Sequence, residues 1–390
     1  MSFAARLDAF HEQAMAAAGG LADFGDPGYL DPLRLLAKDL DCNARLSKLG
    51  EQIIAGNIVG DLIARLLEEQ GYKSFPQFVE APIEKPLIII GMARTGTTVL
   101  HRLIGLDPAL QTLPMWLACA PMPRPLRETW ESNPVFKQVQ QGIEQIQQLS
   151  PKFKQMHPQS AEAADECRFI FNHSFISPTY SATAHVPEYT EMLKADSGFG
   201  KYRRYHKTLG VIGGNTDRRW LLKCPTHLWN LPALLDIFPD ACIIMTHRDP
   251  VDSITSIVSL VYELIRMAAP SISPQDFARE HSDTWGWVLN KAERDREAID
   301  PARIFDIHFD DIRTDPIGSI ERIYRHFDIP VSEAARTAWQ QQVREDPKGG
   351  HATHHYRPED FGLTKEGIRR CAGRCYDRYL QVEAARSAPA

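Results

Sequence analysis

The sequence predicts an α/β protein of three layers, in which a central parallel β-sheet lies between helices, with an N-terminal helical extension and a helical insert. Two observations predict this fold. Short runs of continuous apolar residues, which are typical of strands buried on both faces, alternate with segments of helical periodicity. The first run, Leu87 to Ile90, leads through a glycine-rich turn into an apolar-periodic helix. This is the outline of a phosphate-binding loop, or P-loop.

The first 80 residues are mostly helical in pattern. Apolar residues recur at three- and four-residue spacing in "DPLRLLAKDL" and "NIVGDLIARLLEEQ". Three prolines at 76, 82 and 86 then interrupt this pattern before the first strand. We therefore expect a helical extension at residues 1–80 and a P-loop domain at residues 81–390.

Later strands are expected at residues 219–222, 241–247 and 303–309, and helical patterns lie between them. Residues 110–215 differ from this alternation, because they combine prolines, helical stretches and many aromatic side chains. Segments inserted at the carboxyl ends of strands usually build the substrate site of an α/β protein. We therefore expect residues 110–215 to bind the substrate.

Composition and charge exclude several classes of protein. The 390 residues carry a formal net charge of -6, so the chain as a whole is a poor binder of nucleic acid. There is no run of 18 apolar residues and no signal-peptide pattern, so stable membrane insertion is not expected. The seven cysteines are scattered, which favours free thiols in a reducing cytoplasm. Cys371 and Cys375 lie one helical turn apart, but no second pair completes a metal site.

The loop from Gly91 to Thr98, "GMARTGTT", has the spacing of a phosphate-binding turn. Its glycines allow backbone N–H groups to approach an anion, and the helix that begins near Thr97 directs its positive dipole end there. A nucleotide triphosphatase would carry lysine at position 97 to reach the β and γ phosphates. Here the cation comes three residues earlier, as Arg94, which suits a ligand with fewer terminal phosphates.

A second element, "IIMTHRDPVDSITS", places Arg248 at the end of a strand and Ser256 about two turns into the following helix. Pro250 suits the first position of that helix. The guanidinium group and the hydroxyl could share one phosphate, since arginine–phosphate pairs are charge-assisted and often bidentate.

These segments resemble the sulfotransferases that use 3′-phosphoadenosine-5′-phosphosulfate (PAPS), in particular the bacterial branch with a PRTGTT-like loop. Three segments carry the match: "GMARTGTTVLHRLIGLDP", "RWLLKCPTHLWNLPALLDIFPDACIIMTHRDPVDSITS" and "FDDIRTDPIGSIERI". A weaker one is "HHYRPEDFGL". Together they span residues 85 to 365.

The resemblance implies roles for individual residues. The loop would bind the 5′-phosphosulfate, and Arg94 would also stabilise the charge that develops on the leaving phosphate. Lys223, similar to a lysine of some relatives, would act on the leaving-group oxygen. No metal is expected, since sulfate esters carry less charge than phosphates. The nucleotide ligands would be Arg94, Thr95, Gly96, Thr97, Thr98, Arg248 and Ser256, with His355 and Tyr356 in a C-terminal loop that closes over the nucleotide.

The base that takes the proton of the acceptor hydroxyl is not fixed by the sequence. Relatives often place a glutamate after a tryptophan just past the loop, but here Leu117 follows Trp116. The candidates of the segment "MHPQSAEAADECRFIFNHSF" are His157, Asp165 and Glu166, and His157 and Glu166 match a similar segment of the relatives. His173 and His185 are further alternatives.

The resemblance implies transfer of a sulfuryl group from PAPS to a hydroxyl of a small, mostly apolar acceptor, since the insert is rich in aromatic residues. Two alternatives stay open. One is a phosphotransferase similar to P-loop kinases and NTPases, which would depend on Mg²⁺. The other is a protein that binds 3′-phosphoadenosine-5′-phosphate (PAP) without catalysis. The sequence identifies neither the acceptor nor the oligomeric state, and it leaves a homo-oligomer open.

Overall fold

The structure, a computed structural model, describes residues 2–346 and 357–387. The chain divides into two compact units. The helical unit comprises Met1–Pro82, Leu113–Asp217 and Val261–Ser273. The sheet unit comprises Ile83–Thr112, Arg218–Leu260 and Pro274–Ala390.

The strands, in chain order, are β1 Leu87–Gly91, β2 Leu110–Gln111, β3 Arg219–Lys223, β4 Cys242–His247 and β5 Ile304–His308. The helices, in chain order, are α1 Leu7–Ala17, α2 Leu30–Asn43, α3 Lys48–Ser74, α4 Pro76–Val79, α5 Thr97–Ile104, α6 Met115–Cys119, α7 Pro134–Leu149, α8 Pro151–Met156, α9 Arg168–Asn172, α10 Pro187–Ala195, α11 Phe199–Gly213, α12 Leu231–Ile237, α13 Pro250–Ala268, α14 Pro274–Asp295, α15 Phe309–Thr314, α16 Pro316–His326, α17 Glu333–Glu345, α18 Lys365–Ala372 and α19 Arg374–Ser387.

The strands of the described residues form a five-stranded sheet in the order β2-β3-β1-β4-β5. Every neighbouring pair is parallel. β1 lies in the centre, where all of its residues are buried, and this explains why its sequence is continuously apolar. Because the strands are parallel, their carboxyl ends meet at one edge of the sheet. The P-loop, Lys223, His247 and His308 all lie at that edge.

One face of the sheet forms a hydrophobic core with helices of the same unit. Ile89, Ile244 and Ile307 pack there with Leu100 of α5 and with buried residues of α16 and α17. This packing anchors α5, so the N-terminus of that helix stays beside the end of β1.

The helical unit is organised around α3, against which α1 and α11 pack. Buried charges also join its helices, since Arg204 of α11 forms ion pairs with Glu68 and Glu69 of α3. At the start of α3, the Ser47 hydroxyl accepts a hydrogen bond from the Gly50 backbone N–H at 3.1 Å and caps the helix. Among the helices that the structure describes, none has the length and apolar content needed to cross a membrane.

The fold class predicted from the sequence is confirmed. β1, β3, β4 and β5 lie within one or two residues of the expected strands, and α13 begins at Pro250 as expected. The two-residue strand β2 was not predicted. The sequence analysis expects a domain boundary between residues 80 and 81 and an insert at residues 110–215. Both stay predictions.

Candidate active site

Two glycines shape the loop that follows β1. Gly91 has a φ of +131°, and a Cβ at this position would lie 2.2 Å from Thr246 Oγ1. Gly96 has a φ of +88°, and a Cβ there would lie 3.2 Å from both Phe309 and Ile312. Positive φ values and close neighbours both favour glycine, so neither position accepts a side chain without strain.

Arg94 lies at the tip of this loop in the left-handed region, with a φ of +72°. Such a conformation is uncommon for a residue with a side chain, and strained residues of this kind are enriched at functional sites. The Arg94 Nε atom donates a hydrogen bond to Ser256 Oγ on α13 at a distance of 3.2 Å. The loop therefore aims its cation at the helix that follows β4.

Arg248 joins the same cluster from the end of β4. Its NH1 atom donates a hydrogen bond to the Arg94 carbonyl oxygen at 3.1 Å, and its guanidinium carbon lies 4.5 Å from the centre of the Phe309 ring. Its NH2 atom also forms an ion pair with Asp252 at 3.2 Å. The structure thus brings together Arg94, Arg248 and Ser256, the three side chains that the sequence analysis expected to share the phosphates.

The threonines of the loop have different surroundings. The Thr95 hydroxyl is buried, donates a hydrogen bond to the Met92 carbonyl oxygen at 2.6 Å and lies 2.5 Å from Thr246 Oγ1. Thr95 therefore uses its side chain to hold the loop against β4, and what it can offer an anion is its backbone N–H. Thr97 is also buried, whereas Thr98 is partly exposed on the first turn of α5.

Lys223 is the last residue of β3 and pairs in register with Ile89 of β1. Only 2% of its surface is exposed. A lysine this deep in a protein is uncommon, because removing an ammonium group from water costs free energy that other contacts must offset. Its place at the carboxyl edge of the sheet is the one expected from the sequence.

The base candidates lie in the helical unit. His157 follows α8, is partly exposed, and packs edge-to-face against Phe153 with ring centres 5.9 Å apart. Glu166 lies two residues before the start of α9. Its Oε2 atom accepts a hydrogen bond from Arg168 Nε at 3.0 Å. Asp165 is buried and accepts hydrogen bonds from Gln159 and from the Glu166 backbone.

His173 belongs to a buried network of charges. Its Nδ1 atom lies 2.8 Å from Glu68 Oε1, and Arg204 also pairs with this carboxylate. Burial by itself would raise the pKa of Glu68, but Arg204 and His173 outweigh it and lower that pKa to about 2. His173 is therefore engaged in holding α3, α9 and α11 together. The alternative candidate His185 is partly buried.

Two expected ligands, His355 and Tyr356, lie outside the described residues. Two other residues of the site were missed by the sequence analysis. Thr246 contacts both Thr95 and Gly91, and Phe309 packs beneath Arg248 and beside Gly96. Both lie at or next to the carboxyl ends of expected strands, so strand position was the signal that could have found them.

The charge of this cluster is mainly positive, and this suits an anionic ligand. In the part of the chain that the structure describes, no group of three or more histidine, cysteine, aspartate or glutamate side chains is arranged to hold a metal ion.

Comparison with known proteins decides the family. A family model described as the sulfotransferase family matches residues 86–333. The chain belongs to the sulfotransferase family. This confirms the resemblance seen in the sequence, and it identifies the protein as an enzyme of sulfuryl transfer. The assignment of individual residues to roles stays a prediction.

Solved structures of sulfotransferases resemble this one over nearly its whole length. Sulfotransferase STF1 from Mycobacterium tuberculosis is 35% identical and superposes with a TM-score of 0.85, covering 94% of this chain and 98% of the other. Sulfotransferase STF9 from Mycobacterium avium is 25% identical with a TM-score of 0.86, covering 96% of each chain. The omega-hydroxy-beta-dihydromenaquinone-9 sulfotransferase Stf3 of Mycobacterium bovis is 25% identical over 295 residues, which are 73% of this sulfotransferase and 71% of that protein.

Proposed function

We propose that this sulfotransferase transfers the sulfuryl group of PAPS to a hydroxyl of a small, mostly apolar acceptor and releases PAP and a sulfate ester. The observation that carries the proposal is the contact of Arg94 with Ser256 and of Arg248 with Arg94. Two segments far apart in sequence, the P-loop with Arg94 and the element with Arg248 and Ser256, here bring together two guanidinium groups and a hydroxyl. The loop lacks the lysine of a triphosphatase.

The nucleotide would be held at two points. The backbone N–H groups of residues 94–98 and the N-terminus of α5 would bind the 5′-phosphosulfate, with the Thr98 hydroxyl beside them. Arg248 and Ser256 would bind the 3′-phosphate through charge-assisted hydrogen bonds. His355 and Tyr356, which lie outside the described residues, are proposed as further nucleotide ligands.

The chemical step needs a base and a stabilised leaving group. The acceptor oxygen attacks the sulfur, the bond from sulfur to the phosphate oxygen breaks, and the electron pair leaves with the 5′-phosphate of PAP. Lys223 and Arg94 would stabilise the charge that develops on that oxygen. The hydroxyl proton would pass to His157 or Glu166. The proposed reaction uses no metal ion.

An apolar acceptor agrees with two observations. The helical unit contains aromatic clusters, such as Trp116 with its ring centre 5.5 Å from Trp130 and 5.7 Å from Phe136. One relative is named for a hydroxylated menaquinone. We propose that the acceptor binds to residues 110–215 and that the enzyme acts in the cytoplasm.

Calorimetric titration with PAP, beside ATP plus Mg²⁺, tests the nucleotide site directly. We expect PAP to bind tightly to the full chain and ATP to bind weakly with or without Mg²⁺. Arg248→Ala should weaken PAP binding by roughly 100-fold, since a charge-assisted phosphate contact is lost. A matched control is Arg279→Ala, because Arg279 is an exposed arginine of the same unit whose ion pair with Asp276 is also exposed.

Binding of ATP with Mg²⁺ in preference to PAP would contradict the proposal and favour a phosphotransferase. PAP binding without turnover of PAPS on any hydroxyl compound would favour a protein that binds the nucleotide without catalysis. Turnover with release of PAP would support the proposal, and the hydroxyl compounds that react would then define the acceptor class.

A further inference from the structure

A largely buried ion network includes His247, the residue that precedes Arg248, and its carboxylate partner Asp306 has a side chain that is 28% exposed. His247, the last residue of β4, is 4% exposed, and its Nε2 atom lies 2.6 Å from Asp306 Oδ1 on β5. Asp306 also accepts two hydrogen bonds from Arg296, from NH1 to Oδ1 at 2.9 Å and from NH2 to Oδ2 at 2.7 Å. The guanidinium group of Arg296 and the carboxylate of Asp306 therefore have the bidentate geometry that arginine and carboxylate prefer.

The charges of this network fix the orientation of the imidazole. Burial by itself would raise the pKa of Asp306, but the hydrogen bonds from His247 and Arg296 hold that pKa well below its usual range. Asp306 is therefore ionised and can only accept hydrogen bonds. It follows that Nε2 of His247 carries the hydrogen of this contact.

The residue directly after β5 also contacts the side chain of Arg248. His247 pairs in register with His308 of β5, and Phe309 follows directly. The Phe309 ring packs against the Arg248 guanidinium group at 4.5 Å. Two successive residues, His247 at the end of β4 and Arg248 after it, are thus held by Asp306 of β5 and by Phe309, the first residue of α15. This double contact limits how the Arg248 side chain can turn away from Arg94 and Ser256.

Stability alone does not account for a largely buried ion network, because apolar side chains of similar volume often stabilise a core equally well. Three other buried positions of β4 are apolar, Ile243, Ile244 and Met245, and the fourth, Thr246, contacts Thr95 of the P-loop. The contact of His247 with Asp306 occurs at the last position before Arg248. At this position the orientation of the backbone determines the direction of the Arg248 side chain.

We propose that His247, held by Asp306 and Arg296, is a positioning residue. It orients the side chain of Arg248 so that the guanidinium group binds the 3′-phosphate of the nucleotide. The inference rests on the proposed function. It predicts that replacement of His247 weakens the binding of the 3′-phosphate and of no other part of the nucleotide. His247 would make no contact with the reacting atoms.

The test compares PAP with adenosine 5′-monophosphate, which lacks the 3′-phosphate, by calorimetric titration of the full chain. We expect His247→Leu to raise the Kd of PAP roughly 10-fold and to leave the Kd of the monophosphate within about twofold. His247→Gln retains an amide donor for Asp306, so it should restore most of the PAP affinity. In an Arg248→Ala background, His247→Leu should have no further effect on PAP, because the residue it positions is absent.

Tyr324→Phe is a matched structural control. Tyr324 is buried in the same unit and donates a hydrogen bond to Asp107 at 2.8 Å, so its loss should lower the stability without changing the affinity for either nucleotide. Should His247→Leu fail to fold, Phe309→Leu tests the contact of the Phe309 ring with Arg248, and it should likewise weaken PAP binding selectively.

Equal loss of affinity for both nucleotides, or additive effects of His247→Leu and Arg248→Ala, would overturn the inference and leave His247 a purely structural residue. The proposed function fails separately, if the wild-type protein does not bind PAP.

Discussion

Arg94 and Ser256 are separated by 162 positions in the sequence, and the Nε atom of the arginine donates a hydrogen bond to the hydroxyl of the serine. This contact joins the P-loop to α13. The two predicted phosphate sites of the nucleotide are therefore neighbours within the sheet unit. A substitution at one site should change the binding of phosphate at the other.

Ser256→Ala should raise the Kd of PAP roughly 10-fold, because it removes a hydroxyl from the phosphate and a hydrogen-bond acceptor from Arg94. Ser256→Thr retains the hydroxyl and should lie closer to the wild type. Ser259→Ala is the control, since Ser259 is a buried serine of the same helix. Calorimetry with PAP measures all three. Similar affinities for the Ser256→Ala protein and the wild type would remove Ser256 from the nucleotide site.

Lys223→Met should lower kcat roughly 100-fold and change the Kd of PAP less than about threefold, because the lysine is predicted to act mainly on charge that develops in the transition state. Methionine fills most of the buried volume, so the substitution leaves little cavity. Lys365→Met, at an exposed position of α18, should leave kcat unchanged. Steady-state kinetics with PAPS gives the answer, and a change in affinity with unaltered kcat would reverse the assigned role.

The catalytic base is predicted to be His157 or Glu166. Replacement of the true base by glutamine should lower kcat roughly 100-fold or more and abolish the acid limb of the pH–rate profile. The other variant should retain both. If both variants retain the wild-type rate and profile, neither residue is the base. Asp165 and His185 would then be the next candidates, since His173 already pairs with Glu68 in the protein interior.

Gly91→Ala should lower the free energy of unfolding by about 3 kcal/mol, because the Cβ would overlap Thr246 Oγ1 and the backbone would be strained. Gly60→Ala on α3 is the matched control, since no atom lies within 4 Å of a Cβ there. In a helix interior, alanine is more favourable than glycine by about 1 kcal/mol, so this variant should gain stability. Urea unfolding measures both. A Gly91→Ala protein as stable as the wild type would show that the loop can relax.

Stability should depend on pH through Asp61. Burial raises the pKa of Asp61 from 3.8 to about 6, although His173, Tyr180, Asn172 and Arg168 act against the shift. The folded state therefore binds the proton more tightly than the unfolded state, and this stability is lost as the pH rises from about 4 to 6. Asp61→Asn does not titrate, so it should be more stable than the wild type by about 1 kcal/mol at pH 7.5, after a discount for partial exposure.

The difference between the Asp61→Asn protein and the wild type should shrink at pH 4, where Asp61 is protonated in the folded state and partly protonated in the unfolded state. Urea unfolding at the two pH values measures it. Asp217→Asn is the control, since Asp217 is exposed in the same unit. An advantage of Asp61→Asn that is independent of pH would contradict the role of this carboxyl group.

The sequence predicted the parts of the site that depend on local pattern. The start of α5 at Thr97 and of α13 at Pro250 follow from spacing within a few residues. The contacts of His247 with Asp306 and of Phe309 with Arg248 join positions about 60 residues apart, so no local period reveals them. β2 was missed because two residues are too few to show a strand period.

The helical unit was also beyond local reasoning. Residues 1–82 and 113–217 form one compact unit with residues 261–273, the last of which continue a helix that begins after β4. Nothing in the periodicity of α13 indicates that its two halves belong to different units. The same limit applies to the base, because a proton acceptor is defined by its distance from a bound substrate and not by its neighbours in sequence.

The left-handed backbone of Arg94 has a consequence for engineering. A residue with a side chain costs about 1 kcal/mol in this conformation, whereas glycine adopts it readily. Arg94→Gly would relax the backbone while it removes the guanidinium group that reaches Ser256. A selection for heat resistance alone would therefore favour loss of this cation, and a screen on this enzyme has to monitor turnover alongside survival.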